Sequence, residues 1–318
     1  LEIFSGRGHP ELAQSIAKCL GIELGDANLR DFPVGEIHCR FDSSIRGSDV
    51  FIIQTHCPPI NKSIMEQLIM IDAARRASAR RIIAVCPYYG YSRQDRKSTG
   101  REPITAKLVA DLLTAAGADR VMSLDLHSGQ IQGFFDFPVD HLIAMPLLVD
   151  YLLHQASPDL DLVIVSPDAG RVKVAERISQ QLGTDLAFVH KRRPPGSSRE
   201  VEAMEVIGNV AGKRCVVFDD MIDTAGTICA AADRLVEAGA LDVWAMATHP
   251  VLSDPALERL SKSVISRVVV TDTLPLPKSG VLDKIEVLSI APIIADAIDA
   301  VYEDTSVSEI FGGQNVSP

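Results

Sequence analysis

The chain has 318 residues, with 31 Lys and Arg against 42 Asp and Glu and a formal net charge of -11. That balance excludes a general nucleic-acid binder, which needs a basic footprint. At 47% hydrophobic and 23% charged it is no disordered chain, and its length suits about two domains of roughly 150 residues each.

No stretch approaches the roughly 18 uncharged apolar residues of a membrane helix, so the chain reads as soluble, unprocessed and cytoplasmic. The six cysteines, Cys19, Cys39, Cys57, Cys86, Cys215 and Cys229, are scattered without a Cys-x-x-Cys pair. That is the pattern of reduced structural thiols. Charge is unevenly spread. Arg75 to Arg101 holds eight basic residues against one acid, and His190 to Arg199 holds four and no acid. Two positive islands in an acidic chain point to a small, highly charged anion as ligand. Within the first, Arg75, Arg76, Arg80 and Arg81 read as solvated helix faces.

In chain order, Leu1-Glu-Ile-Phe-Ser-Gly6 reads as a short strand. Apolar runs rich in Val and Ile follow at Val50–Thr55, Arg81–Cys86, Val121–Leu124, Leu162–Ser166, Arg214–Phe218, Val243–Thr248 and Val264–Thr271. Amphipathic segments alternate with them at Lys62–Ala77, Ile104–Ala116, Arg171–Leu182, Thr227–Ala238 and Ile293–Val301, with helix stops at Gly117, Gly183 and Gly239. This alternation predicts an α/β protein with mainly parallel sheets flanked by helices. Phe137-Pro-Val-Asp140 and Met145-Pro interrupt the periodicity, so two domains are expected at 1–142 and 143–318. Arg192–Glu202, rich in Pro, Gly and Ser, reads as a charged loop and a candidate lid.

In Val216-Val-Phe-Asp219-Asp220-Met-Ile-Asp223-Thr224-Ala225-Gly226-Thr227 an apolar strand ends in two acids, and a short polar loop opens a helix. Amides at a helix start, with the Thr224 and Thr227 hydroxyls, suit a phosphate monoester; acids at a strand end suit sugar hydroxyls or a metal. The pattern matches the ribose-phosphate loop of type I phosphoribosyltransferases. There is neither a Walker loop nor a Gly-x-Gly-x-x-Gly motif.

In the first half, Pro87-Tyr-Tyr-Gly-Tyr-Ser-Arg93-Gln94-Asp95-Arg96 follows a strand directly. Arg93 offers a forked donor for phosphate and Gln94 an amide for a base or ribose. Tyr88, Tyr89 and Tyr91 equally read as packing. Ser123-Leu-Asp125-Leu-His127 places a lone His at a strand's carboxyl end, and Ser166-Pro-Asp168-Ala-Gly-Arg171 repeats the placement with a carboxylate, the usual ligand type for magnesium.

These segments closely resemble the ribose-phosphate diphosphokinase (phosphoribosyl-diphosphate synthetase) family, in one register from Ile3-Phe-Ser-Gly6 to Ser306-Val-Ser-Glu-Ile-Phe311. Further matches are Met65-Glu-Gln-Leu-Ile-Met-Ile-Asp72 and Gln130-Ile-Gln-Gly-Phe-Phe-Asp136. The resemblance implies two phosphoribosyltransferase-like domains, one on the ATP side and one carrying the ribose 5-phosphate loop. The implied reaction is transfer of the diphosphoryl group of Mg-ATP to the C1 hydroxyl of ribose 5-phosphate, in a cytoplasmic homohexamer serving nucleotide biosynthesis.

It further implies Lys191 and Arg193 as catalytic cations, and ATP contacts from Phe32, Val34, Gly35 and Glu36 of a hairpin that reaches a neighbouring subunit, joined by Arg93 and Gln94. Ribose 5-phosphate contacts are implied at Arg193, Asp219, Asp220, Asp223, Thr224, Ala225, Gly226 and Thr227, and Mg²⁺ contacts at His127 and Asp168. Ser44, Arg46, Gln132, Ser306 and Ser308 match a regulatory site for inorganic phosphate and ADP. The sequence departs from the family at Val34, where Asp or Asn is usual, and at Ala225, where Gly is common. A methyl group at position 225 is expected to need a negative φ. A catalytically weak regulatory paralogue and a type I phosphoribosyltransferase are the alternative readings.

Overall fold

The computed structural model describes residues 1–155, 161–192, 203–277 and 279–311. They form two compact α/β units: Leu1–Ala144 with Thr273–Pro275 and the described residues from Ser289 to Phe311, and the described residues of Met145–Asp272 with those of Leu276–Leu288.

In the first unit the chain runs β1 (Glu2–Ser5), α1 (Pro10–Leu20), β2 (Ala27–Asp31), β3 (Ile37–Phe41), β4 (Asp49–Ile53), α2 (Ile60–Arg76), β5 (Arg81–Cys86), α3 (Thr105–Ala116), β6 (Arg120–Leu124) and β7 (Val139–Leu142). Strands β1-β4-β5-β6-β7 form a parallel sheet in that order, while β2 and β3 form a separate antiparallel hairpin. Val50, Ile52, Ile82 and Ala84 pack in one core with Leu68 and Ile71 of α2 and Val109 and Leu113 of α3. The alternate residues Phe51, Ile83, Val85 and Met122 are equally buried. Both faces are therefore covered, which is why these strands read as unbroken apolar runs.

The second unit runs α4 (Met145–Gln155), β8 (Leu162–Ser166), α5 (Val172–Leu182), β9 (Asp185–Arg192), β10 (Ala203–Ile207), β11 (Arg214–Ile222), α6 (Gly226–Glu237), β12 (Asp242–Pro250), α7 (Ala256–Lys262), β13 (Arg267–Thr271) and β14 (Ile285–Leu288). Its seven-stranded sheet has the order β10-β9-β8-β11-β12-β13-β14, parallel except where β10 pairs with β9. Val165, Val217 and Ala245 face a core shared with Ile228 and Leu235 of α6 and Leu260 of α7. Ile164, Val216 and Met246 face the other side, against Leu148 of α4 and Ile178 of α5.

Two expectations are revised. The last helix, α8 (Ala291–Tyr302), belongs to the first unit, so the second domain does not extend unbroken to the chain's end. Its buried face of Ile294, Ala297, Ile298 and Val301 packs beside α1, whose Leu12, Ala13 and Ile16 are buried. Both helices bury an apolar stripe, and covering one with the other removes both from water. Second, Arg80 and Arg81 are not merely solvated. Arg81 Nη2 lies 2.6 Å from Asp49 Oδ2, Arg80 Nε donates to Asp49 Oδ1 at 2.7 Å, and Arg81 Nη1 meets Asp304 Oδ1 at 2.6 Å. Among the described residues no helix is long and apolar enough to cross a membrane.

The Asp49 side chain is fully buried, and hydrogen bonds from Arg80 hold its carboxyl well below the usual carboxylate range, against the opposing effect of burial. A depressed carboxyl pKa gives stability that is present above the unfolded value near about 4 and is lost as pH falls towards the folded value. Asp49→Asn is expected to destabilise by about 2 kcal/mol at neutral pH, between an exposed and a buried pair because Arg80 is largely exposed. Melting curves of variant and wild type will converge as pH falls below about 4; a pH-independent gap contradicts the ion-pair account.

Candidate active site

β11 is longer than the sequence suggests. It pairs with β12 from Arg214↔Asp242 through Ile222↔Pro250, so Asp219 and Asp220 lie inside the strand rather than beyond it. On its other edge β11 pairs with β8 only through Val217↔Val165. The two acids therefore begin where one neighbouring strand has stopped, on a rigid strand with one edge released. Sequence alone could not show this, because continued pairing depends on the partner strand's length.

One cation reaches both acids. Arg171 Nη2 is 2.6 Å from Asp220 Oδ2 and its Nε 3.8 Å from Asp219 Oδ1. Burial, and then the charge of adjacent Asp220, push the Asp219 carboxyl well above the usual range, while Arg171 works in the opposite direction. Asp219 Oδ1 also accepts the Asp220 amide at 2.8 Å.

After β11 the chain turns through Asp223, Thr224 and Ala225 into α6. Thr224 and Thr227 are exposed, and Ala225 is buried in the core beneath them. Ala225 has φ 58, in the left-handed region, so the expected negative φ is wrong. The turn that starts α6 requires this conformation, and the methyl's burial helps offset its cost of roughly 1–2 kcal/mol. As N-cap of α6, Ala225 supplies no side-chain cap, which suits an anion as acceptor for the first helical amides. Arg259 of α7 donates from Nη1 to the Thr224 carbonyl at 3.0 Å. A Cβ on Gly226 would come 3.2 Å from that same nitrogen, so a side chain at 226 would crowd this brace.

Asp168 follows β8 and caps its own turn, its Oδ1 accepting the amides of Gly170 at 2.8 Å and Arg171 at 3.3 Å. Lys191 lies on β9, paired in register with Met204. Arg193 and the rest of the expected 192–202 loop lie outside the described residues, apart from Arg192, which ends β9.

The first unit carries the other candidates. Phe32–Glu36 closes the β2–β3 hairpin: the Gly35 amide donates to the Phe32 carbonyl and the Phe32 amide to the Glu36 carbonyl, both at 2.8 Å. Gly35 has φ 92, a conformation that favours glycine. Val34 is 81% exposed and Phe32 41% exposed, so the tip projects apolar surface into solvent. At its base Asp31 accepts from Arg7 at 2.7 Å and from Lys62 at 2.5 Å, which ties the hairpin to the start of α2 and the loop after β1.

Beyond β5, Tyr88 and Tyr89 are buried, and the Tyr89 hydroxyl donates to the Ala106 carbonyl at 2.9 Å. These two rings pack. Arg93 and Gln94 are exposed, and Gln94 Oε1 accepts from the Thr105 hydroxyl at 2.6 Å, anchoring it to the start of α3. His127 follows β6 after Asp125, which adopts φ 36 and accepts the Ala144 amide at 3.1 Å. His127 and Asp168 thus lie at strand ends in separate units. Among the described residues no three His, Cys, Asp or Glu side chains cluster as a metal cage.

The five regulatory candidates all lie in the first unit. Gln132 and Ser308 line a cavity of about 340 Å³ together with Arg120, Asp140, His141 and Thr305. The Ser306 and Ser308 hydroxyls are hydrogen-bonded at 2.9 Å, and Arg46 donates to the Ser78 hydroxyl at 3.3 Å. Ser44 is exposed. The roles of Arg171 and Arg259 were not legible in the sequence, because neither carries a motif that links it to a strand or loop dozens of residues away.

The left-handed turn gives a stability test. Ala225→Val puts a β-branched side chain at positive φ within a packed core and is expected to cost at least about 2 kcal/mol, whereas Ala225→Gly should remain within about 1 kcal/mol of wild type. Melting temperatures of the two variants check this ordering; equal losses would contradict it.

Comparison with known proteins supplies a family. A family model described as the N-terminal domain of ribose phosphate pyrophosphokinase matches residues 1–117, and one described as the phosphoribosyl synthetase-associated domain matches residues 184–312. The ribose-phosphate pyrophosphokinase of Streptomyces avermitilis is 56% identical over 311 residues, covering 98% of this chain and 96% of its own. That of Bifidobacterium longum is 56% identical over 313 residues, covering 98% of this chain and 92% of its own. The crystal structure of phosphoribosylpyrophosphate synthetase from Mycobacterium smegmatis matches with a TM-score of 0.90 at 52% identity, over 95% of this chain and 99% of that one. With near-complete coverage on both sides, the chain belongs to the ribose-phosphate pyrophosphokinase family of enzymes.

Proposed function

We propose that this enzyme transfers the diphosphoryl group of Mg-ATP to the C1 hydroxyl of ribose 5-phosphate, giving 5-phosphoribosyl 1-diphosphate and AMP. The observation that carries the reading is the β11–α6 connection. Ala225 turns the chain so that the Thr224 and Thr227 hydroxyls and an uncapped helix start stand next to two strand-borne acids. A phosphate monoester fits the former and sugar hydroxyls fit the latter.

On this reading Asp219, Asp220 and the Asp223–Thr227 loop hold ribose 5-phosphate. Arg93 and Gln94 serve ATP, with Phe32, Val34, Gly35 and Glu36 supplied by a hairpin whose exposed tip suits insertion into a neighbouring copy in a homohexamer. Val34 brings no side-chain hydrogen bond, so the tip contributes packing and backbone groups at that position.

Asp168 suits Mg²⁺ as a hard oxygen donor whose Oδ1 is engaged in capping and whose Oδ2 remains for a ligand; His127 is better suited to phosphate oxygens or metal-bound water. Mg²⁺ often takes few ligands from the protein and the rest from substrate phosphates and water. When bound, Mg²⁺ neutralises charge on the phosphates. Lys191, with Arg193, steadies charge on the transferring group and the AMP leaving oxygen. The Gln132 and Ser308 cavity, with Ser44, Arg46 and Ser306, is a candidate for inorganic phosphate and ADP.

Purified enzyme given ribose 5-phosphate, Mg²⁺ and ATP should release AMP only when the sugar is present. ADP instead would indicate an ordinary kinase, and no turnover would favour a regulatory paralogue. Lys191→Ala should lower turnover at least roughly a hundredfold with a smaller change in substrate affinity; unchanged turnover removes Lys191 from the chemistry. Dialysed enzyme should be stimulated by inorganic phosphate, and Ser308→Ala should blunt that response. Activity indifferent to phosphate argues against the regulatory site.

A further inference from the structure

We infer that Arg171 is a positioning residue for sugar recognition: its guanidinium anchors the buried Asp220 and restrains the more open Asp219, which accepts the vicinal hydroxyls of ribose 5-phosphate. The inference rests on the reading of β11 as the sugar-binding strand.

Neighbouring residues on a strand point to opposite faces, so two consecutive acids do not naturally present themselves together. Here a single planar cation spans them, with Nη2 2.6 Å from Asp220 Oδ2 and Nε 3.8 Å from Asp219 Oδ1. Burial differs between the two. The Asp220 side chain is 6% exposed, whereas that of Asp219 is 21% exposed. Arg171 therefore engages the more buried acid closely and restrains the more open one, which stays accessible to a ligand. Two carboxylates on consecutive residues also repel, and a cation between them offsets that repulsion where solvent screening is weak.

The geometry is built from a second strand. The turn after β8 is capped by Asp168 Oδ1, which accepts the amides of both Gly170 and Arg171 and so fixes where the arginine begins. Its side chain is only 12% exposed. A lysine could supply the charge but, as a point donor, could not address both carboxylates with one rigid plane.

The test compares Arg171→Met and Arg171→Lys with wild type by calorimetric binding of ribose 5-phosphate and 2-deoxyribose 5-phosphate, and by KM for the sugar and for ATP. Wild type should prefer the ribose compound. Arg171→Met should weaken ribose 5-phosphate binding about tenfold or more, with a matching rise in its KM and an ATP KM within about twofold of wild type. Preference over the deoxy sugar should shrink, and Arg171→Lys should fall between. Melting temperature monitors folding; if the Met variant does not fold, the Lys variant carries the same comparison. A purely structural role would raise both KM values together, and that result overturns the inference, as does an undiminished preference for ribose. Wild type that binds ribose 5-phosphate yet forms no AMP overturns the proposed reaction but leaves the Arg171 comparison intact. Wild type that binds no ribose 5-phosphate overturns both.

Discussion

Parallel strand pairing is the constraint on which the candidate site depends. When neighbouring strands run the same way, every crossover must return over a face, and each strand's carboxyl end opens into a loop on the same edge of its sheet. In the first unit that edge carries the segment beyond β5 with Arg93 and Gln94 and the segment beyond β6 with His127. In the second it carries Asp168 and Arg171 beyond β8 and the loop beyond β11. Residues far apart in sequence become neighbours at a strand edge without any local signal between them.

The opposite edge has a different character. Asp49 and Arg81 stand at the starts of β4 and β5, and Arg120 at the start of β6 pairs with Asp140 at 2.7 Å. In the second unit Arg214 opens β11 and meets Asp242 at the start of β12 at 2.7 Å, while the guanidinium groups of Arg214 and Arg267 lie 4.6 Å and 4.5 Å from the Trp244 ring centre. These charges find their partners within the protein. They tie neighbouring strand starts together, on the edge opposite the candidate site.

The +/− patterning therefore resolves into two kinds of basic residue. Arg80 and Arg81 belong to the ion-paired edge, although they share a basic window with Arg93 at the edge of the candidate site. The acids divide similarly: Asp49 is a structural counter-ion, while Asp219 and Asp220 are held close to one another at a cost that Arg171 reduces. Placing like charges together is unfavourable unless something uses them, which is why perturbed carboxyls gather at functional sites.

By itself the sequence determined the alternation of strands and helices, because strands buried on both faces must be continuously apolar and helices covering them must be amphipathic. It also determined the loop chemistry, since an acidic pair followed by Thr224-Ala-Gly-Thr227 is local. What only the tertiary structure decided is non-local. It extended β11 through both acids because β12 continues beside them, and it returned α8 to the first unit because α1 offered a matching apolar face. It set Ala225 in the left-handed region, where the turn into α6 outweighs the methyl's preference. It also brought Arg171 across from β8 to the acids of β11. Side-chain partners depend on which strands lie side by side, and strand order is settled by packing the whole sheet rather than by any one segment.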